Sequence, residues 1–146
     1  MTKLENDIFY VCSLIEFIGR YTKNQRGDVV KHIGRKMIAH LLEYADVNHC
    51  LPLQQVADEV IEDTALASGT FDNVSECRYR VPTETEIGKV YQRLVLAVNR
   101  GEPYEDTIYN VFTSYITDEI SYFNSNVYYS SPQYLELSYY NGELLA

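Results

Sequence analysis

TETEIGKVYQRLVLAVNRG (Thr83–Gly101) is written as an amphipathic helix with both ends marked. Thr83 and Glu86 have the spacing of a capping box behind Pro82, in which a hydroxyl and a carboxylate each satisfy a backbone amide freed at a helix start. Ile87, Val90, Tyr91, Leu94 and Val98 then recur at helical spacing, and Gly101 supplies the stop. The same period returns on both sides of this segment, whereas sustained alternation of the strand type does not. The expected fold class is therefore all-α: a single-domain bundle of about five to seven helices over residues 1–146, with one irregular loop near residues 68–82.

Upstream, Leu4, Ile8, Val11, Cys12, Ile15 and Ile18 form one stripe of a helix from about Lys3 to Thr22, while Phe9, Leu14, Phe17 and Tyr21 add a second apolar face. A helix apolar on two sides is either central to the bundle or half covered by a partner, and the central place is the expectation. Asn24 to Arg26 make a polar break. Val29, Val30 and Ile33 precede Gly34, and Met37, Ile38, Leu41, Leu42 and Ala45 mark a further helix. This pair has some features of a helix-turn-helix, with Lys31, Arg35 and Lys36 as its basic face, but its second half is not consistently apolar where that motif requires it. An αα-corner with a solvated basic face is the plainer reading.

Pro52 opens the next helix, whose stripe is Leu53, Val56, Val60 and Ile61, with Asp58, Glu59, Glu62 and Asp63 on the outer side. In the loop, Phe71, Val74 and Tyr79 are the expected anchors. Downstream, Pro103 begins a helix that carries Ile108, Val111, Phe112, Tyr115, Ile116 and Ile120 to about Phe123. Ser131 and Pro132 begin a last one, ended by Gly142.

Charge is distributed unevenly. Residues 1–50 hold seven bases and six acids, 51–100 five and eight, and 101–146 none and seven, within a net charge of −9. Such a balance argues against general affinity for phosphate backbones, which rests on clustered Lys and Arg. Nucleic acid is an unfavoured partner, and a regulator built on Lys31, Arg35 and Lys36 is the weakest reading. An N-terminus with Glu5 and Asp7 in place of a basic region, and Glu16 within the apolar run, is not a secretory leader, and no apolar stretch approaches a membrane span. The expected setting is cytoplasmic, with no membrane association.

Motifs for chemistry are missing from the sequence: neither GxGxxG nor GxxxxGK[ST], HExxH, GxSxG or CxxC occurs. Cys12, Cys50 and Cys77 read as reduced, buried thiols. His40, His49 and Cys50 offer zinc-type ligands without an evident fourth, and Cys50 or Cys77 lacks the electropositive setting of a nucleophile. The Asp58, Glu59, Glu62, Asp63 group reads as a solvated face. No catalytic, cofactor-binding or metal site is assigned. An enzyme whose Asp, Glu, His or Cys site is assembled only by folding is the alternative function class.

Nine of fourteen tyrosines follow Gly101. Adjacent pairs such as Tyr128-Tyr129 and Tyr139-Tyr140 cannot both face one core, and exposed tyrosine is characteristic of interface hot spots. Tyr128, Tyr129, Tyr134, Glu136, Tyr139 and Tyr140 are accordingly the candidate partner-binding residues, suited to a basic protein or to a homodimer.

The segments FYVCSLIEFIGRYTKN (Phe9–Asn24), YADVNHC (Tyr44–Cys50), VADEVIE (Val56–Glu62), GTFDNVSECRY (Gly69–Tyr79), IGKVYQRLV (Ile87–Val95) and FNSNVYYSSPQY (Phe123–Tyr134) resemble a bacterial family of short uncharacterised all-helical proteins. The resemblance implies companions of toxin-like or ADP-ribosyltransferase-like proteins, hence an antitoxin or immunity-like role, and it names no active-site residue.

Overall fold

The computed structural model describes residues 1–146. Eight α-helices and one 3-10 turn form an all-α bundle: α1 Lys3–Thr22, α2 Arg26–Glu43, α3 Ala45–Asn48, α4 Leu53–Thr64, α5 Glu84–Val98, α6 Tyr104–Phe112, α7 Tyr115–Ser121, the turn Val127–Tyr129, and α8 Pro132–Asn141. None of the helices is long and apolar enough to cross a membrane.

α1 is the central helix, the first of the two places its apolar faces allow. It packs on α5 most extensively and also on α2, α3 and α4, and Ile8, Val11, Leu14, Ile15 and Ile18 lose all contact with solvent. At roughly 1.5–3 kcal/mol for each large apolar side chain removed from water, this row supplies much of the drive to close the bundle. α5 answers with Ile87, Tyr91, Leu94 and Val95, all fully buried, and the Tyr91 ring stacks on Phe112 of α6 at 4.0 Å between centroids. The Thr83 hydroxyl accepts from the Glu86 amide at 3.1 Å. The Glu86 carboxylate leaves the box expected of it and pairs with Arg80 instead, at 2.8 Å.

α2 is bent where Gly34 takes φ 81° and ψ 167°, a conformation costly for any other residue. Another break divides the helix expected from Pro103 to about Phe123. Thr113 Oγ1 donates to the Tyr109 carbonyl at 2.8 Å, Ser114 Oγ to Val111 at 2.7 Å, and Thr117 Oγ1 to the same Val111 carbonyl at 3.0 Å. Hydroxyls that take up helix carbonyls compete with the backbone ladder, and Ser114 turns extended at φ −84° and ψ 167°. Pro52 and Pro103 lie just outside α4 and α6 as their caps, rather than in the first turn.

Beneath these helices lies a fully buried ion pair. Arg26 Nε and Nη2 donate to the two oxygens of Glu16 at 3.0 and 2.8 Å, both side chains being 0% exposed, and Arg20 Nε adds a third bond to Glu16 at 2.7 Å. Arg26 also donates to Asn73 Oδ1 at 3.1 Å, and Asn73 Nδ2 donates to the Ser121 carbonyl at 2.8 Å. Asn73 therefore anchors the irregular loop, while Tyr79, expected to do so, is 67% exposed. Asn73-Val74-Ser75 has the glycosylation pattern, yet the acceptor nitrogen is committed inside the fold.

The loop begins with an Asx-type turn. Asp72 accepts from the Ser75 amide at 3.0 Å, the Ser75 hydroxyl at 2.8 Å and Lys23 Nζ at 3.1 Å. The Ser75 amide, its hydroxyl and Lys23, in that order, hold the Asp72 carboxyl down at about 2, against an ordinary 3.8. A depressed carboxylate stabilises the folded state above its unfolded pKa and loses that contribution as pH falls through the folded one. The turn should thus be intact above about pH 4 and loosen towards pH 2. A carboxyl-carbon NMR titration of Asp72 with a midpoint near the ordinary value would show that these bonds do not form in solution.

Candidate functional site

The six C-terminal candidates do not make one surface. Tyr128 is buried, with its ring edge-on to Phe123 at 5.9 Å, whereas Tyr129 beside it is 66% exposed. Tyr139 is half-buried and Tyr140 52% exposed, so each adjacent pair divides between core and solvent. The α8 hydroxyls are largely turned to internal use. Tyr134 donates to the Leu145 carbonyl at 2.7 Å, Tyr140 donates to the Val98 carbonyl at 3.0 Å, and Tyr115 of α7 donates to the Ser138 carbonyl. Glu136 meets Arg100 at 3.4 Å, and that guanidinium also lies over the Tyr140 ring at 5.2 Å. These bonds pin α8 to the end of α5.

Apart from Tyr128 beside it, Tyr129 belongs with residues that the sequence did not single out for binding. It lines a groove of about 480 Å³ with Tyr79, Arg80, Phe123 and Asn124. A narrower groove of about 90 Å³ adjoins it through the shared Phe123 and Asn124 and is bordered by Tyr122, Glu76 and Asp118. Tyr79, Tyr122 and Tyr129 are 67%, 55% and 66% exposed, respectively. Their two segments are riveted together. Asn124 Oδ1 accepts from the Arg78 amide at 2.8 Å, its Nδ2 donates to the Glu76 carbonyl at 3.1 Å, and Asn73 reaches Ser121 as described. Loops held in this way present their side chains with little ordering left to do on binding.

The charges of this face are mixed: Arg78, beside Tyr79, and Arg93, near Tyr129, are exposed and unpaired. Arg80 is matched by both oxygens of Glu86, at 3.1 and 2.8 Å, and it holds the Glu86 carboxyl below its ordinary value. Glu76 and Asp118 have no ion-pair partner. Elsewhere the charge gradient is partly neutralised within the molecule. Arg35 pairs with Asp106 at 3.1 Å and lies 3.9 Å above the Tyr109 ring, which draws one of the three basic residues of α2 out of any free basic face. Lys31 and Lys36 stay exposed.

The remaining candidates are dispersed. Asp58, Glu59, Glu62 and Asp63 are all exposed on α4. His40 is exposed beside Tyr44, and no three His, Cys, Asp or Glu side chains gather into a metal-holding group. Of the cysteines, only Cys12 is fully buried, and burial pushes its thiol well up. Cys77 is half-buried and Cys50 exposed, because the short turn after α3 lifts Cys50 off the core. Cys50 Sγ lies 4.0 Å from His49 Nε2, while His49 Nδ1 lies 3.3 Å from the Ala45 carbonyl, at the outer limits of interaction.

No protein-family profile, curated protein or solved structure matches this chain.

Proposed function

We propose that the chain is a non-catalytic interaction protein that docks a basic protein partner on the paired grooves bounded by Tyr79, Tyr122 and Tyr129. The observation that carries this reading is the exposure of three tyrosines on two cross-linked segments around a common floor of Phe123 and Asn124. Tyrosine and arginine dominate binding energy at interfaces because they bring large, rigid contact area together with a polar end. The net charge of −9 favours a cationic partner and speeds its approach, and unpaired Glu76 and Asp118 at the rim are placed to meet it. An antitoxin or immunity-like role, in which an acidic protein covers a basic effector, is the biological setting that we assign to it.

The test compares wild type with a Tyr79→Ala/Tyr122→Ala/Tyr129→Ala triple variant in affinity capture followed by calorimetry on the captured protein. All three rings are more than half exposed, so the variant should fold normally by circular dichroism. We expect a basic partner whose Kd rises at least a hundredfold in the variant, since hot-spot truncations cost about 2 kcal/mol or more each. An unchanged Kd overturns this site. Loss of binding in a Leu137→Ala/Tyr140→Ala variant instead would move the surface to α8, and a wild-type dimer dissociated by the triple variant would make the partner a second copy.

A further inference from the structure

Three grooves run in a row past Tyr129. The widest, of about 480 Å³, shares Tyr128 and Tyr129 with a groove of about 170 Å³, and Phe123 and Asn124 with the groove of about 90 Å³. The two narrower grooves have no lining residue in common, so the wide one lies between them.

Charge is divided along this row. Arg93, exposed and unpaired, lines the 170 Å³ groove, and no acid does. Glu76 and Asp118, likewise exposed and unpaired, line the 90 Å³ groove, and no base does. Between them, Arg80 is the one charged residue lining the wide groove, and Glu86 neutralises it through two hydrogen bonds. Arg78 lines none of the three. The row is therefore positive at one end, neutral and aromatic in the middle, and negative at the other.

The dimensions select the shape of an occupant. Glu86, Val90 and Arg93 follow one face of α5, and at 1.5 Å per residue the rise from Glu86 to Arg93 is about 10 Å, the span of about three residues of extended chain. A helix with its side chains is about 10–12 Å across, too broad for the two narrow grooves, which suit single side chains. Four of the eight residues lining the wide groove are aromatic, namely Tyr79, Phe123, Tyr128 and Tyr129. Walls of this kind receive proline-rich segments, which are already extended and rigid when free.

We infer that the row holds an extended peptide segment of the partner, with a proline-rich centre on the aromatic floor, a carboxylate at Arg93 and a Lys or Arg at Glu76 and Asp118. This rests on the docking reading above and adds the polarity of the bound segment. Overall charge draws in a basic protein, and the two charged ends fix which way its segment lies.

The probe is the capped peptide Ac-EAPPPAK-NH2, titrated at low salt into isotope-labelled full-length protein by NMR. It should bind saturably with Kd on the order of 1 mM and shift resonances of Tyr129, Asn124, Arg93 and Glu76. Arg93→Glu should weaken it about fivefold, as one exposed ion pair becomes a like-charge contact, and should tighten the dibasic Ac-KAPPPAK-NH2. A Glu76→Lys/Asp118→Lys variant should weaken it similarly and tighten the diacidic Ac-EAPPPAE-NH2. Lys36→Glu, which changes the net charge as much as Arg93→Glu but from exposed α2, should leave the order of the peptides as in wild type. None of these side chains makes an ion pair, so each variant should fold normally by circular dichroism. If Arg93→Glu and Lys36→Glu act alike on all three peptides, the ends are not read and the inference falls; loss of that binding in the triple tyrosine variant would then leave the docking reading standing. No saturation by about 5 mM, or binding that survives the triple variant, also overturns the inference, while the docking reading is judged separately by the affinity of the captured partner.

Discussion

Glu16→Ala should lower the unfolding free energy by about 3–5 kcal/mol, the cost of removing one member of a buried ion pair and leaving the other without a counter-charge. The chain has 146 residues, and at roughly 2–4 °C per kcal/mol for domains near this size the melting temperature should fall by on the order of 10 °C. Arg26 is the reason. Its guanidinium is 0% exposed, and its remaining partners after the substitution are the Asn24 carbonyl at 3.1 Å and Asn73 Oδ1 at 3.1 Å, neither of them charged. Arg20 suffers less, because it also holds the Pro82 carbonyl at 2.7 Å and reaches Glu84 at 3.8 Å. A Glu16→Leu/Arg26→Met double variant should recover most of the loss, because apolar side chains of similar volume replace buried ion pairs at little net cost. Urea unfolding monitored by circular dichroism measures both. A single-variant loss below about 1 kcal/mol would mean that solvent reaches this pair after all, as it does the exposed pairs whose worth is of that order.

This network also marks the boundary of what the sequence discloses. Glu16 is visible as a charge within the apolar run Leu14-Ile15-Glu16-Phe17-Ile18, and a carboxylate on a buried helix face demands a cation. Which cation is settled only by how α2 folds back on α1, because Arg26 and Asn73 come from outside that helix. The helices themselves were legible for local reasons: the Thr83 and Ser131 caps, the Gly142 stop and the apolar stripes are each contained within a turn or two of chain. The division at Ser114 was hidden because the apolar stripe continues through it. Its signal lies in the hydroxyls of Thr113, Ser114 and Thr117, which become decisive only once their carbonyl partners are known.

The exposed tyrosines follow the same logic. Parity separates Tyr128 from Tyr129 in the sequence, but nothing local brings Tyr79 and Tyr122 to the same rim; Asn73 and Asn124 do so through bonds between distant segments. Flanking by Arg78 and Arg80 was the available hint that Tyr79 faces water, since two neighbouring arginines seldom enter a core.

Gly88→Ala should destabilise the protein by about 1–3 kcal/mol, although alanine is the better helix former by about 1 kcal/mol. The site is the crossing of α1 and α5. A methyl group built at Gly88 overlaps Ser13 Oγ and falls 2.9 Å from both the β- and the α-carbon of Ser13. The hydroxyl can rotate away, but the clash with the Ser13 backbone is relieved only if the two helices separate, and their separation opens the interface that buries Ile8, Val11, Ile15, Ile87, Leu94 and Val95. Ser13→Gly in the same molecule removes the two side-chain clashes and should restore a substantial part of the loss, a coupling that a double-mutant cycle reads directly. Gly19→Ala provides the comparison. Its added methyl would overlap Arg26 Cδ and lie 2.6 Å from Nε, so it acts by displacing the guanidinium from Glu16. Its cost should therefore largely vanish in the Glu16→Leu/Arg26→Met background, while that of Gly88→Ala should persist there unchanged. If both glycine variants responded alike to that background, the helix crossing and the ion pair would be one cooperative unit rather than two.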